Sequence, residues 1–183
     1  MRKVLVACAC VCVLSASLLA ATLADVTLPD SITVGNQTLV LNGLGLRSKM
    51  FIKVYVGGLY VEKKTNDPAA IITSDATKRV VMQFIYGEVS RDQMIEAFDE
   101  GFKANAPKAP KAEVQQLIDA LETMKKGEQM VVTYVPGTGT TLTLRGKDKI
   151  TIAGLPFAQA VFSVWFGPKP PSSDLKNGML GKK

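Results

Sequence analysis

Leu41 to Lys64 reads LNGLGLRSKMFIKVYVGGLYVEKK and joins a glycine-spaced turn, one arginine and two strand-like runs. Gly43 and Gly45 suit a positive-φ or close-packed backbone that side chains forbid, which would set where Arg47 points. From Lys49 to Val56 the residues alternate, with Met50, Ile52, Val54 and Val56 on one face and Lys49, Phe51, Lys53 and Tyr55 on the other. The first face reads as core. Gly57 and Gly58 interrupt the run before Leu59 to Glu62 resumes it, which predicts a bulge or sharp bend.

Outward from this stretch, Ser31 to Leu41 alternates around Gly35-Asn36, a tight-turn pair that predicts a hairpin. On the other side, Thr65 to Pro68 is a loop, Pro68 to Ile72 one helical turn, and Lys78 to Tyr86 a long alternating strand that pairs with the first. Ser90-Arg91-Asp92-Gln93 is a capping box opening a helix to about Asn105, with Met94, Phe98 and Phe102 turned to the sheet. After a break at Ala106 to Pro110, a second helix is expected over Glu113 to Lys126. Its stripe is Val114, Leu117, Ile118, Leu121 and Met124, and Lys125-Lys126-Gly127 closes it. Glu128 to Val135, Thr140 to Arg145 and Lys149 to Ala153 read as antiparallel strands. Pro156 to Phe166 is apolar nearly all round, hence a buried helix, and falls short of the ~20 residues a membrane span needs. Ser172 to Leu180 forms a last short helix. The order predicts an α+β fold, an antiparallel β-sheet packed by helices on one face.

The chain opens with Met1, Arg2 and Lys3, an apolar run from Val4 to Ala21 and small residues ending Thr22-Leu23-Ala24. That is the layout of a signal peptide over residues 1–24, with one domain over 25–183 and a periplasmic or secreted protein as the consequence. A retained membrane anchor is the alternative; with the signal removed, no stable membrane span is expected. Cys8, Cys10 and Cys12 all lie in this segment, so the mature chain has no thiol for a disulfide. The full chain has 22 basic and 16 acidic residues, net +6, and loss of Arg2 and Lys3 lowers this to +4. There is no histidine. Ser-His-Asp and Cys-His nucleophilic machinery, histidine-ligated metals and thiol redox chemistry are thereby excluded, and no cofactor or metal is called for. No basic stripe interleaved with aromatics appears, which argues against nucleic acid.

Ser173-Asp174-Leu175-Lys176 matches the S-x-x-K of some hydrolases, but their partner motifs are absent and a helix N-cap explains it. Gly43-x-Gly45 lacks the third glycine of a dinucleotide fingerprint, and no lysine follows Gly137-x-Gly139. Arg47 with Tyr55 is the pair that carries chemistry. A guanidinium offers a two-point fork to a carboxylate, and a phenol donates one more hydrogen bond. In a cleft otherwise lined by Phe, Met, Val and Trp they would hold a molecule with an anionic head and an apolar body. The competing reading is an arginine paired with a structural carboxylate and a tyrosine at a sheet edge.

The pattern GLGLR followed by KMFIKVYVGGLYVE resembles the chalcone isomerase-like family, in particular its bacterial secreted members. Arg79 to Phe102, GLPFAQAVFSVWFG and SSDLKNGMLG agree with it, so the resemblance covers nearly all of the chain after about Ser31. It implies a cleft in which Arg47 stands at the family's characteristic arginine. True chalcone isomerases, which cyclise a chalcone without a cofactor, add a threonine on the following strand and a tyrosine and an asparagine around the next helix. Here Tyr55 stands at the threonine, Arg91 and Phe98 at the other two, and Val164 at a further polar position. A non-catalytic branch that is similar to this pattern pairs the arginine with a tyrosine and binds fatty acids by the carboxylate.

That resemblance implies non-catalytic binding of a fatty acid or similar apolar carboxylate by Arg47 and Tyr55, with no catalytic residue. Two other classes remain open. A cofactor-independent isomerase or intramolecular lyase would use Arg47 to stabilise an enolate or phenolate and Tyr55 or a water to move the proton. An envelope interaction protein would use its surface and bind no ligand.

Overall fold

A computed structural model describes residues 20–182. The expected signal peptide lies outside these residues, apart from residues 20–24. In chain order the first half comprises β1 Ala20–Leu23, β2 Val26–Pro29, β3 Ser31–Val34, β4 Gln37–Lys49, β5 Ile52–Val61, α1 Pro68–Thr73, β6 Lys78–Phe84 and β7 Glu88–Val89. The second half comprises α2 Arg91–Asn105, α3 Lys111–Asp119, β8 Met124–Lys125, β9 Gln129–Val135, β10 Gly139–Leu144, β11 Lys147–Ile152, α4 Leu155–Phe166 and α5 Ser173–Met179. An antiparallel sheet of seven strands runs β11-β10-β9-β6-β5-β4-β3, and the helices pack on one face of it. The expected α+β architecture is the one found.

Local signals account for much of this. Gly35 takes φ 57° in the two-residue turn between Val34 and Gln37, where a side chain would be strained. Ser90 Oγ accepts from the Gln93 amide at 3.2 Å while Gln93 Oε1 accepts from the Ser90 amide at 2.9 Å, so the capping box of α2 is closed. Helix α4 is buried from Phe157 to Phe166 save for Gln159, with Phe162 and Trp165 at its centre, as its all-round apolar sequence requires. Among the described residues no helix is long and apolar enough to cross a membrane. The far face of the sheet is covered in part by the β1–β2 hairpin, where Val26 and Leu28 pack on Leu39, Leu41, Val56 and Tyr60.

Three expectations for the chain are corrected. The run Lys49 to Val56 is not one strand: β4 extends to Lys49, Met50 and Phe51 form a two-residue turn, and Lys49 pairs with Ile52. Both turn residues have left-handed backbones, φ 49° and 69°, which match the twist of a tight hairpin but carry none of the Asn-Gly chemistry that marks one in sequence. Nor do Gly57 and Gly58 bend β5, which is paired continuously through them on both sides. The bulges fall at Asn42 in β4 and Val54 in β5, the residues skipped by the β4–β5 ladder. Third, α3 stops at Asp119 and Met124 lies in β8, paired with Val89. Leu121 and Met124 are buried as the stripe demanded, but the Arg91 guanidinium takes the Leu121 and Ile118 carbonyls at 3.0 and 3.4 Å, which ends the helix. A tertiary contact overrides the periodicity.

Candidate functional site

Gly43, Gly45 and Gly57 form a bare strip on the helix-facing side of β4 and β5. A Cβ at Gly45 would stand 2.1 Å from the Leu175 carbonyl oxygen, one at Gly43 2.2 Å from that of Gly178, and one at Gly57 2.8 Å from Leu175 Cδ1. The strip lets the backbone of α5 lie directly on the sheet. Asn42, at the first bulge, fastens it there by donating to Met179 O at 2.8 Å and Thr65 O at 3.0 Å. The glycines that were expected to aim Arg47 therefore act by close approach, with neither Gly43 nor Gly45 at positive φ. Arg47 follows on the same face, and there a cleft opens between the β4–β5 hairpin and α2.

Arg47 and Tyr55 sit directly opposite one another in the β4–β5 ladder. The second bulge turns Val54 towards the cleft as well, so Ile52, Val54 and Tyr55 line the same space. The alternation read from sequence, which set Tyr55 opposite Ile52 and Val54, is corrected here: the unpaired Val54 shifts the register by one residue. Both strands are interior to the sheet, so Tyr55 is not at an edge.

Arg47 is half-buried, and its Nη1 donates to the Ser48 carbonyl. Among the described residues no carboxylate lies within ion-pair distance of it. Tyr55 is buried, and its Oη accepts a hydrogen bond from Trp165 Nε1 at 3.3 Å. Burial pushes the phenol up to about 12, against the opposing pulls of the Trp165 bond and the Arg47 charge. At neutral pH it is protonated, and with its oxygen already accepting from Trp165, its hydrogen is available as a donor.

Two lobes of about 280 Å³ each meet at this pair. One runs under the hairpin towards Ile52, Tyr86 and Val89; the other runs between α2 and α4 along Met82, Phe98 and Trp165. Glu96 on α2 lines the first lobe and Glu100 lines both, while Lys49 stands at the hairpin end. Trp165 stands in the cleft lining, where a tryptophan was expected, but the hydrogen bond it gives Tyr55 was not read from the sequence. Its indole N–H is a buried donor on a helix whose other polar side chains are Gln159 and Ser163, and such a donor needs a partner. That was the available signal.

The residues that the resemblance sets at further polar positions of chalcone isomerases make packing and capping contacts here, and Phe98 and Val164 also line the second lobe. Arg91 closes α3, Phe98 meets Trp165 edge to face at 5.8 Å between centroids, and Val164 packs on the bare Cα of Gly101. Ser172 rather than Ser173 caps α5, accepting from the Leu175 amide at 3.2 Å, and Lys176 donates to Gly167 O at 2.8 Å. Of the S-x-x-K stretch, Lys176 is engaged by that bond and Ser173 is the exposed first residue of α5.

Fold and site together define a helix-covered antiparallel sheet whose cleft sets an arginine beside a buried tyrosine. A family model described as chalcone isomerase-like matches residues 20–181, and the chain belongs to that family. The structure is similar to the crystal structure of a fatty-acid binding protein from Arabidopsis thaliana. The TM-score is 0.71 and the identity 14%, over 88% of this chain and 96% of that one, so the likeness is one of fold. No curated protein matches the sequence.

Proposed function

We propose that the protein binds a fatty acid or similar apolar carboxylate without catalysis, with Arg47 and Tyr55 holding the head group. The observation that carries this is the pairing of an arginine that has no carboxylate partner among the described residues with a phenol kept protonated by burial, at the meeting of two largely apolar lobes with Glu96 and Glu100 on one wall. A carboxylate there would accept from the guanidinium fork and from the Tyr55 hydroxyl. Each lobe, at about 280 Å³, falls just below the ~300–1,000 Å³ typical of small-molecule sites. A long acyl chain would extend past the unbranched Met82 and Met94, side chains that adapt readily. The fatty-acid binding described for the Arabidopsis protein supports this reading.

Native mass spectrometry of the protein purified without added lipid tests it, beside Arg47→Ala. Adducts of fatty-acid mass that the variant loses are the expected result. A bare protein that takes up no added fatty acid would leave the ligand-free interaction protein as the better reading. We further infer that residues 1–24 direct export and are removed, so that the protein works in the periplasm or outside the cell. Cleavage after Ala24 would take β1 away and leave Val26 and Leu28 on the sheet; sequencing the N-terminus of the exported protein checks for Asp25 as its first residue.

A further inference from the structure

The large apolar side chains that stand exposed among the described residues gather at one place. Met50 is 85% exposed and Phe51 fully so at the tip of the β4–β5 hairpin, with Ile52 and Tyr86 half exposed behind them. Both tip residues occupy left-handed backbone, at φ 49° and 69°, where Asn and Gly are the comfortable choices. Bulk is therefore kept at the tip against both solvation and local conformation. Lys49 and Lys53 flank it, both exposed. Glu96 and Glu100 line the opposite wall of the cleft, and in the lobe under the hairpin the cations, Arg47 and Lys49, come from the hairpin side.

We propose that this tip inserts into the interface of an anionic lipid bilayer, with Met50 and Phe51 entering the acyl boundary and Lys49 and Lys53 resting at the head groups. Two adjacent projecting side chains suit a deformable medium better than a shaped protein pocket, and an aromatic ring between two cations is the arrangement an anionic interface favours. Lys49, Met50, Ile52 and Tyr86 also line the cleft that holds Arg47 and Tyr55. Docking by the tip would set the mouth of that cleft against the lipid. Insertion itself does not depend on what the cleft binds.

The test reads the tip alone, because in the full chain the apolar run Val4 to Ala21 has its own affinity for lipid. Phe51→Trp places an indole at the turn, and the unsubstituted chain supplies the background from Trp165, which is buried. Vesicles of phosphatidylethanolamine and phosphatidylglycerol with brominated acyl chains are added. The tip emission is expected to shift to the blue and to be quenched by the bromines. Lys49→Gln/Lys53→Gln is expected to weaken vesicle affinity at the tip about twenty- to thirtyfold, roughly fivefold per lysine, and Lys49→Arg/Lys53→Arg to retain it. Emission that stays unshifted and open to aqueous acrylamide in the presence of vesicles would overturn the proposal. Equal quenching by phosphatidylcholine vesicles would overturn it too, as would a blue shift that grows with protein concentration in the absence of lipid, which would assign the tip to a second copy of the chain.

Discussion

Met50→Asn/Phe51→Gly is expected to make the protein more stable. A non-glycine residue in left-handed backbone costs about 1–2 kcal/mol, and the structure holds two in succession, at φ 49° and 69°. Glycine at 51 removes that cost and asparagine at 50 reduces it, while the added freedom of glycine in the unfolded chain returns about 0.4–1 kcal/mol. No burial is lost, since Met50 is 85% exposed and Phe51 fully so. The net gain is about 1–2 kcal/mol, which for a chain of 183 residues raises Tm by about 2–8 °C. Urea unfolding followed by circular dichroism, with calorimetry beside it, reads both quantities. Met50→Ala/Phe51→Ala serves as the control: it strips the same apolar bulk but keeps side chains in left-handed backbone, so its stability is expected within about 0.5 kcal/mol of the unsubstituted chain. If the Asn-Gly variant is no more stable than the starting protein, the turn carries no strain and the argument from retained bulk fails with it. Both variants are expected to lose the lipid contact, so stability and insertion would move independently.

Other consequences can be read in the same unfolding experiments. Lys78, 1% exposed, donates from Nζ to the Ile71 and Ser74 carbonyls at 2.7 Å and lies over the rings of Tyr134 and Phe162; burial lowers it to about 8 from 10.5. Between those values the unfolded chain binds more protons, so stability is expected to rise with pH above 8, by on the order of 1–2 kcal/mol up to pH 10. Above pH 10 the tyrosines pushed up to about 12, Tyr55, Tyr60 and Tyr134, reverse the slope because the folded state then holds the extra protons. A rise that persists in Lys78→Met would show that another group causes it. Gly45→Ala forces a Cβ to within 2.1 Å of a backbone oxygen that cannot swing aside, so a loss of about 3 kcal/mol and faster amide exchange in α5 are expected; wild-type stability would refute the direct contact. Tyr55→Phe leaves the buried Trp165 N–H without its acceptor, at a cost of about 1–3 kcal/mol, and is expected to lower fatty-acid affinity about tenfold. Unchanged affinity in a folded variant would remove Tyr55 from the site.

What the sequence settled by itself was whatever depends on near neighbours along the chain. The Gly35-Asn36 turn, the Ser90–Gln93 capping box, the all-round apolar helix α4 and the alternation of β6 and β9 each rest on residues within a few positions of one another, where sterics and hydrogen bonding act without help from the fold. Arg47 and Tyr55 were also legible as a pair, from residue chemistry and family pattern. Tertiary structure decided the rest. The left-handed Met50-Phe51 turn opposes local preference and is imposed by the strands it joins, and Val54 turns beside Tyr55 only because the ladder skips it. Helix α3 ends where Arg91, 27 and 30 positions away, takes the Ile118 and Leu121 carbonyls. Gly43, Gly45 and Gly57 are bare because α5, more than 100 residues later, lies on them, and Tyr55 is oriented by Trp165 across 110 positions. No local rule reaches that far, because these contacts arise only when the packed helices close over the sheet.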